Sequence, residues 1–481
     1  MKLVFEKSKP GHRSYSLPKL DVAAQPDLLP QPLLRKVELK LPELSPIEAA
    51  RHYNELASRN LHIDKNFYPL GSCTMKYNPP ISERLAGHHA WLSLHPLAPA
   101  SAVQGTLRVM YELEHLLAEI SGMDAVTLHP AAGAHGELVG LLLARAYFKH
   151  KHEDRSIVLI PDSAHGTNPA SARMAGFTPV EIKSTPSGMV DINELKRHAT
   201  DKLAVIMLTV PNTLGIFEKD ILKIAKIVHE AGGIMYLDGA NLNSYVGWVK
   251  PGEMGFDIVH FNLHKTFGAP HGSGGPGGGA LGVKKFLEPF LSVPRVKKRD
   301  NRYYWDSEWD SEHPHSIGKI HTFYGNFIVN LKGFIYIRMM GSPGLKKVAE
   351  HAVLNANYLA TLIREILPIP YPGPYMHEFV TSGKPLLQYD VRTIDLAKRL
   401  LDKGFHPPTI YFPLIVKEAL MIEPTETESK ATLDAFATAI GEIVNEAQTN
   451  PDIVKNAPHS MLVRRVSEGK ASRDLNVNYY G

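Results

Sequence analysis

Lys265 stands where a lysine can attack a carbonyl carbon. It follows an apolar run, Phe256 to Phe261, that reads as a buried strand, and it is flanked by His264 and Thr266. The loop beyond it, up to Gly279, is so rich in glycine that the backbone must approach something closely. A lysine in this setting has two readings. It is either a solvated residue beside a flexible loop, or the residue that forms a Schiff base with a carbonyl cofactor. The groups that the rest of the chain sets beside it decide between the two.

Four other turns carry groups that suit such a cofactor. After Ala125–Leu128 comes His129-Pro-Ala-Ala-Gly-Ala-His-Gly-Glu137. Small residues opening a helix leave backbone N–H groups free for a phosphate, although the same residues also suit a tight turn that packs helix on strand. The stretch lacks both dinucleotide-binding glycine spacing and a P-loop lysine. After Ile157–Ile160 comes His165, whose flat ring can cover a ligand or can equally be satisfied at a helix N-terminus. After Ala204–Val210, which includes Thr209, comes Pro211-Asn-Thr213, with side chains that can bond a ligand hydroxyl or shape a turn. After Ile234–Leu237 comes Asp238-Gly-Ala-Asn241. A carboxylate there is costly to bury without a partner. It is a turn or capping aspartate, or it pairs with a ring nitrogen that must stay protonated. At an effective dielectric near 20 such a pair is worth about 4 kcal/mol, roughly three pKa units. Each signal alone is weak. In this order along one sheet they describe a pyridoxal phosphate site: phosphate turn, stacking ring, hydroxyl partner, pyridinium partner and Schiff-base lysine.

The elements that must position these groups are legible as periodicity. Apolar runs at Ala125–Leu128, Ile157–Ile160, Thr178–Ile182, Ala204–Val210, Ile234–Leu237, Phe256–Phe261 and Ala280–Val283 alternate with helical patterns. That alternation predicts a mostly parallel sheet covered on both faces, with ligands at the carboxyl ends of its strands. Helices are predicted from Ser45 to about Asn60, from Ser101 to Ile120, after a capping Asp191, from Glu218 to Ala231 and over Phe327 to Ile366. Pro368 to Pro374 reads as a linker. A smaller α+β unit follows, with a strand near His377–Val380, a helix over Thr393–Lys403, an extended run Thr409–Val416 and a helix over Thr427–Thr449. The expected limits are an N-terminal arm and helix over 1–75, a large α/β domain over 76–340, a small C-terminal domain over 341–460 and a tail over 461–481.

Composition bounds the rest. The chain has 481 residues, 44% of them hydrophobic and 21% charged, with a formal net charge of +4. That is ordinary for a soluble protein and gives no reason to propose a nucleic acid or a membrane surface as partner. The single cysteine, Cys73, excludes an intrachain disulfide and a thiolate zinc site, and fits a reducing compartment. With no signal-peptide pattern or membrane span, the expected location is the cytoplasm, and no metal is expected.

Several motifs resemble one family. Phe67-Tyr-Pro-Leu-Gly-Ser-Cys-Thr-Met-Lys-Tyr-Asn78, Gly133-Ala-His-Gly-Glu137, Ser163-Ala-His-Gly-Thr-Asn-Pro-Ala-Ser-Ala172, Asp238-Gly-Ala-Asn-Leu-Asn243, Leu263-His-Lys-Thr-Phe267 and Pro270-His-Gly272 occur in order over nearly the full length. They are similar to the pyridoxal phosphate-dependent P-protein of the glycine cleavage system, glycine dehydrogenase (decarboxylating), in its second-subunit form. Val210 and Ser273 depart mildly from the family pattern.

The resemblance implies fold type I, the aspartate aminotransferase-like α/β fold. It implies pyridoxal 5′-phosphate held covalently by Lys265, His165 stacked on its ring and Asp238 on its pyridinium nitrogen. Ala240 would pack against the ring, Thr209 would lie near its hydroxyl, and Ala132, Gly133 and Ala134 would take its phosphate. Tyr324-Gly-Asn326 would serve a phosphate contact with a neighbouring chain. His264, His135 and His271 are the histidines available to move protons. The implied reaction decarboxylates glycine and passes the aminomethyl group to the lipoyl arm of H-protein. The implied assembly is an α2β2 heterotetramer with subunit 1. Three rivals share parts of this reading: another pyridoxal phosphate enzyme of the same fold, a non-catalytic subunit, and a metal hydrolase suggested only by the 24 histidines.

Overall fold

The computed structural model describes residues 2–23, 28–37, 39–270, 277–306 and 314–479. They fall into two compact units, one of Ile63–Arg464 and a smaller one of Met1–His62 with Arg465–Gly481. In the smaller unit the helix Pro46–Ala57 starts as its sequence predicts. Ser45 and Glu48 cap each other reciprocally, with the Ser45 N–H donating to Glu48 Oε2 at 2.9 Å.

The larger unit is built on a seven-stranded sheet. Its strands are β1 (Ala125–Thr127), β2 (Ile157–Pro161), β3 (Thr178–Ile182), β4 (Leu203–Thr209), β5 (Ile234–Gly239), β6 (Ile258–Asn262) and β7 (Gly279–Val283). The spatial order is β1-β7-β6-β5-β4-β2-β3. The pairs β2–β3, β2–β4, β4–β5 and β5–β6 are parallel, and β7 runs antiparallel to both its neighbours. All seven expected strands form, with ends shifted by a residue or two.

Alternation in the central strands explains why they read as continuous apolar runs. In β4, Val205 and Met207 enter the core on one face, while Ile206 and Leu208 enter the core on the other. In β5, Ile234 and Tyr236 alternate with Met235 and Leu237 in the same way. A strand buried on both faces has no polar side to show.

The helix Gln104–Ser121 buries Leu107, Met110, Leu113 and Leu117, and Gly122 ends it at φ 69°. The helix Gly133–His150 lies across β5 and β6 at short range. A Cβ on Gly133 would collide with the Asn262 amide, one on Gly136 would press on His260 Cβ, and one on Gly140 would collide with the Tyr236 ring. Glycine at these three positions on one helix face lets the helix sit close over the strands that carry Asp238 and His260.

The helix Phe327–Arg364 breaks at Gly341, where φ is 59°. Beyond it lies a three-stranded antiparallel sheet of β10 (Phe379–Ser382), β12 (Ala419–Ile422) and β11 (Thr409–Ile410), in that order. The helices Thr393–Asp402 and Lys430–Thr449 pack with it. Two details differ from the sequence reading. The run expected to be extended over Thr409–Val416 is a strand only at Thr409–Ile410, because Tyr411 turns the chain at φ 59°. The strand that carries the centre of this sheet, Ala419–Ile422, was not predicted. A hairpin of β8 (Arg295–Arg299) and β9 (Arg302–Asp306) was also not foreseen, since its residues are mostly charged or partly exposed. Among the described residues no helix is long and apolar enough to cross a membrane.

Candidate active site

The carboxyl ends of β4, β5 and β6 and the start of the helix Gly133–His150 enclose a cleft of about 220 Å³. Ala132, Gly133, Ala134, His165, Thr209, Asp238, Ala240, His264 and Lys265 all line it. All of these were singled out in the sequence; Asn326, Tyr324, His135 and His271 were singled out too and are not among them. Asn326 faces an adjoining cavity, donates from Nδ2 to the Gly277 carbonyl at 3.2 Å and caps the helix Phe327–Arg364. Tyr324, expected beside it at a contact with another chain, is buried in its own chain. Its hydroxyl lies within 3.1 Å of Glu114 Oε1 and of Thr127 Oγ1. His135 accepts from the Ala131 N–H and is absent from the cleft lining, and His271 lies outside the described residues.

Asp238 is the electrostatic centre of the site. It sits at the end of β5, in register with His260 on β6. Side chains at alternate positions share a face, so Tyr236 and Asp238 of β5 both reach the His260 ring. His260 Nε2 is 3.0 Å from Asp238 Oδ1, and His260 Nδ1 is 2.9 Å from the Tyr236 hydroxyl. The Ala240 N–H donates to Asp238 Oδ1 at 3.0 Å, and Asn168 Nδ2 donates to Oδ2 at 3.3 Å. Burial by itself would raise the Asp238 pKa. The charge and hydrogen bond of His260 outweigh it, and Lys265 adds to them, so the carboxyl is held well below its usual range. Burial likewise opposes the charged form of His260, yet pairing with Asp238 holds its pKa above the ordinary value. Glu137, on the helix Gly133–His150, is pushed upward by burial and by Asp238, while Thr167 and Ser171 donate to its oxygens. The cluster therefore keeps Asp238 ionised between an imidazole biased to its charged form and a carboxyl biased to its neutral form.

His165 accepts the Thr167 N–H at Nδ1, 3.2 Å away, at the start of the helix Thr167–Met174. The ring is thus satisfied at a helix N-terminus and also lines the cleft. Burial holds its pKa below the ordinary value. The Thr209 hydroxyl is buried with no partner among the described residues. Asn212 serves the turn instead, donating to the Gly188 carbonyl and accepting from the Leu214 and Ile216 N–H groups. His264 Nδ1 accepts the Gly278 N–H at 3.2 Å.

Sequence reasoning missed several groups of the site. Glu137 ended a quoted motif without a role, and His260 was part of an apolar strand with no signal beyond its register opposite Asp238. Ser72, from the stretch Phe67–Asn78, also lines the cleft, and Gly71, Ser72 and Cys73 line its outward extension together with Lys265 and Phe412.

The donor set matches pyridoxal 5′-phosphate group by group. Lys265 is available for the aldehyde, an ionised carboxylate for the pyridine nitrogen and an unpartnered buried hydroxyl at Thr209 for the ring hydroxyl. For the phosphate there is an 18-residue helix whose first turn no side chain caps.

Comparison with known proteins agrees with this chemistry. A family model described as glycine cleavage system P-protein matches residues 16–291, and one described as glycine dehydrogenase, C-terminal domain, matches residues 348–464. The chain is 54% identical to a Pseudothermotoga lettingae protein over 98% of both chains. It is 53% identical to a Listeria monocytogenes serotype 4a protein over 100% of this chain and 98% of that one. Both are named probable glycine dehydrogenase (decarboxylating) subunit 2. Among solved structures, a glycine decarboxylase (P-protein) of the glycine cleavage system in inhibitor-bound form superposes with a TM-score of 0.72 at 22% identity, covering 86% of this chain and 93% of that one. A cysteine desulfurase from Thermococcus onnurineus NA1 superposes with a TM-score of 0.61 at 15% identity, covering 79% and 95%. The fold is the aspartate aminotransferase-like fold type I, as the sequence implied.

Proposed function

The chain belongs to the glycine cleavage system P-protein family, as a glycine dehydrogenase (decarboxylating) subunit 2, and we propose that its Lys265 cleft is where glycine loses CO2 and the aminomethyl group passes to the lipoyl arm of H-protein. The observation that carries this reading is the convergence of Lys265, ionised Asp238, unpartnered Thr209 and an uncapped helix N-terminus on one cleft.

Lys265 would hold pyridoxal 5′-phosphate until the amine of glycine takes its place, and the cofactor would supply an electron sink for the pair that departing CO2 leaves behind. The protein's part is orientation and polarisation. Asp238 would accept a hydrogen bond from the protonated ring nitrogen and hold that proton, while His260 keeps Asp238 ionised. The backbone N–H groups at Gly133 and Ala134, after Ala132, would hold the phosphate, aided by the helix dipole. His165 and the small Ala240 would hold the ring, and Thr209 would bond its hydroxyl. His264, beside Lys265, is the histidine of the cleft placed to move a proton at the lysine.

Among the described residues that line the cleft and its extension there is no arginine. The stretch over Ser72 and Cys73 borders the opening toward solvent, the side from which a lipoyl arm would enter. Subunit 1, in an α2β2 assembly, is the proposed structural partner.

The visible spectrum of the full chain with pyridoxal phosphate tests this reading, alone and with glycine, beside Lys265→Ala. We expect a yellow band that requires Lys265 and shifts with glycine, and glycine-dependent CO2 release once subunit 1 and lipoylated H-protein are added. No band under any of these conditions overturns the cofactor assignment. A band without a glycine response in the complete mixture overturns the substrate.

A further inference from the structure

The C-terminal sheet places two buried carboxyl groups behind the wall of the cleft. Glu378 precedes β10 and Glu423 follows β12, and both are fully buried. Side-chain atoms of Glu378, Glu423 and His377 lie within 4.8 Å of one another. Each carboxyl holds one end of a single turn. Glu378 Oε2 accepts the Ser72 N–H at 2.7 Å, and Glu423 Oε2 accepts the Thr74 N–H at 2.9 Å. Ser72 and Thr74 both have left-handed backbones, at φ 63° and 47°, an uncommon conformation for residues other than glycine. The same turn is docked by the Thr409 hydroxyl, which donates to the Gly71 carbonyl at 2.9 Å.

We propose that Glu378 and Glu423 are positioning residues that share one proton and so hold the Ser72-Cys73-Thr74 turn against the Lys265 cleft. The proposal rests on the functional reading above only in taking that cleft as the active site. Like charges this close and this buried cannot both persist, so the pair carries at most one. The surroundings accept either arrangement of the proton. Asn243 Nδ2 donates to Glu423 Oε1 at 3.2 Å while its own Oδ1 lacks a partner, so a flipped amide accepts from a protonated Glu423 equally well. His377, kept neutral by burial, has no hydrogen-bond partner on either ring nitrogen among the described residues, and its Nε2 faces Glu378 Oε1 at 3.6 Å. Lys265, Cys73 and Glu426 are the other titratable groups whose charges act on the pair. Burial raises both carboxyls, Glu423 to about 7 and Glu378 well above the usual range, with Glu423 adding to the second. Losing the last shared proton leaves two buried charges, which the pair relieves by opening toward water and drawing the turn with it.

Hydrogen exchange of the Ser72 and Thr74 amides reads the turn directly. It is measured on the full-length chain without added pyridoxal phosphate, so the outcome does not depend on the cofactor reading. After correction for intrinsic exchange, protection should hold steady at acid pH and through the loss of the first proton near pH 7, which leaves one charge on the pair, and fall about tenfold at higher pH as the last proton leaves, the order expected when a charge-assisted hydrogen bond is lost. Glu423→Gln, which keeps the acceptor and can never be charged, should stay protected throughout, and Glu378→Gln should behave alike. Flat protection in the wild-type chain overturns the proposal even if neither variant folds. A fall that survives in both variants overturns it as well.

Discussion

His260 Nε2 lies 3.0 Å from Asp238 Oδ1, across adjacent parallel strands, with both side chains almost wholly buried. This contact converts an unfavourable burial into a fixed negative charge facing the cleft. Without it, a carboxyl at the end of β5 would be driven toward its neutral form. With it, the carboxyl is held well below its usual range, as the proposed pairing with a positively charged ring nitrogen requires.

Replacing Asp238 by asparagine removes the charge and keeps the size. Glycine decarboxylation by Asp238→Asn should fall by about two to three orders of magnitude, the usual cost of losing a key electrostatic stabiliser. The fall should be in kcat rather than KM, because Asp238 is assigned to the cofactor nitrogen and not to glycine. Steady-state assays with H-protein check this, and near-wild-type kcat would rule out the role.

His260 makes stability depend on pH in a defined direction. Its folded pKa lies above the unfolded value, so the stabilisation it contributes is complete below roughly pH 6.5 and is lost as pH rises through the folded pKa. Asp238 is shifted the opposite way, and its contribution is lost only as pH falls through its depressed folded value. Urea midpoints should therefore decline from pH 6 to pH 9 in the wild-type chain more steeply than in His260→Gln. Parallel declines would show that the pair is not ionic.

Gly133→Ala tests the phosphate turn. The added methyl collides with the Asn262 amide, so the helix start must shift away from β6. The apparent Kd for pyridoxal phosphate should rise at least tenfold, or about 1.4 kcal/mol. Titration of cofactor absorbance measures it, and unchanged affinity would move the phosphate elsewhere.

Lys76 is a buried cation with three partners. Its Nζ lies 2.9 Å from Glu426 Oε1, 2.7 Å from the Thr266 carbonyl and 3.1 Å from the Tyr336 hydroxyl. It ties the stretch after the turn both to the backbone beside Lys265 and to the C-terminal region. Lys76→Met leaves Glu426 buried without its charge partner and should cost about 3–5 kcal/mol. Adding Glu426→Gln should recover part of that loss in urea unfolding. Additive losses would show that the two residues do not act as a pair.

The sequence by itself determined the sheet and most of the cleft. Strands buried on both faces must be apolar throughout, and parallel strands must place their ligand groups at one end, so Asp238, Lys265, Thr209 and the turn at Gly133 could be read in order. Periodicity also located the helix Gln104–Ser121 and its glycine stop. Only the tertiary structure decided how those groups are tuned. The Asp238–His260–Tyr236 chain depends on register between strands 24 positions apart at Tyr236 and His260, and pairing across strands leaves no local pattern. Glu378, Glu423 and Glu426 meet the turn at Ser72–Thr74 and Lys76 from more than 300 residues away, where each reads as one more glutamate. Asn326 and Tyr324 show the converse. Their motif suggests a phosphate contact with a neighbouring chain, and within their own chain Asn326 caps a helix while the Tyr324 hydroxyl meets Glu114 and Thr127, partners that no local pattern announces.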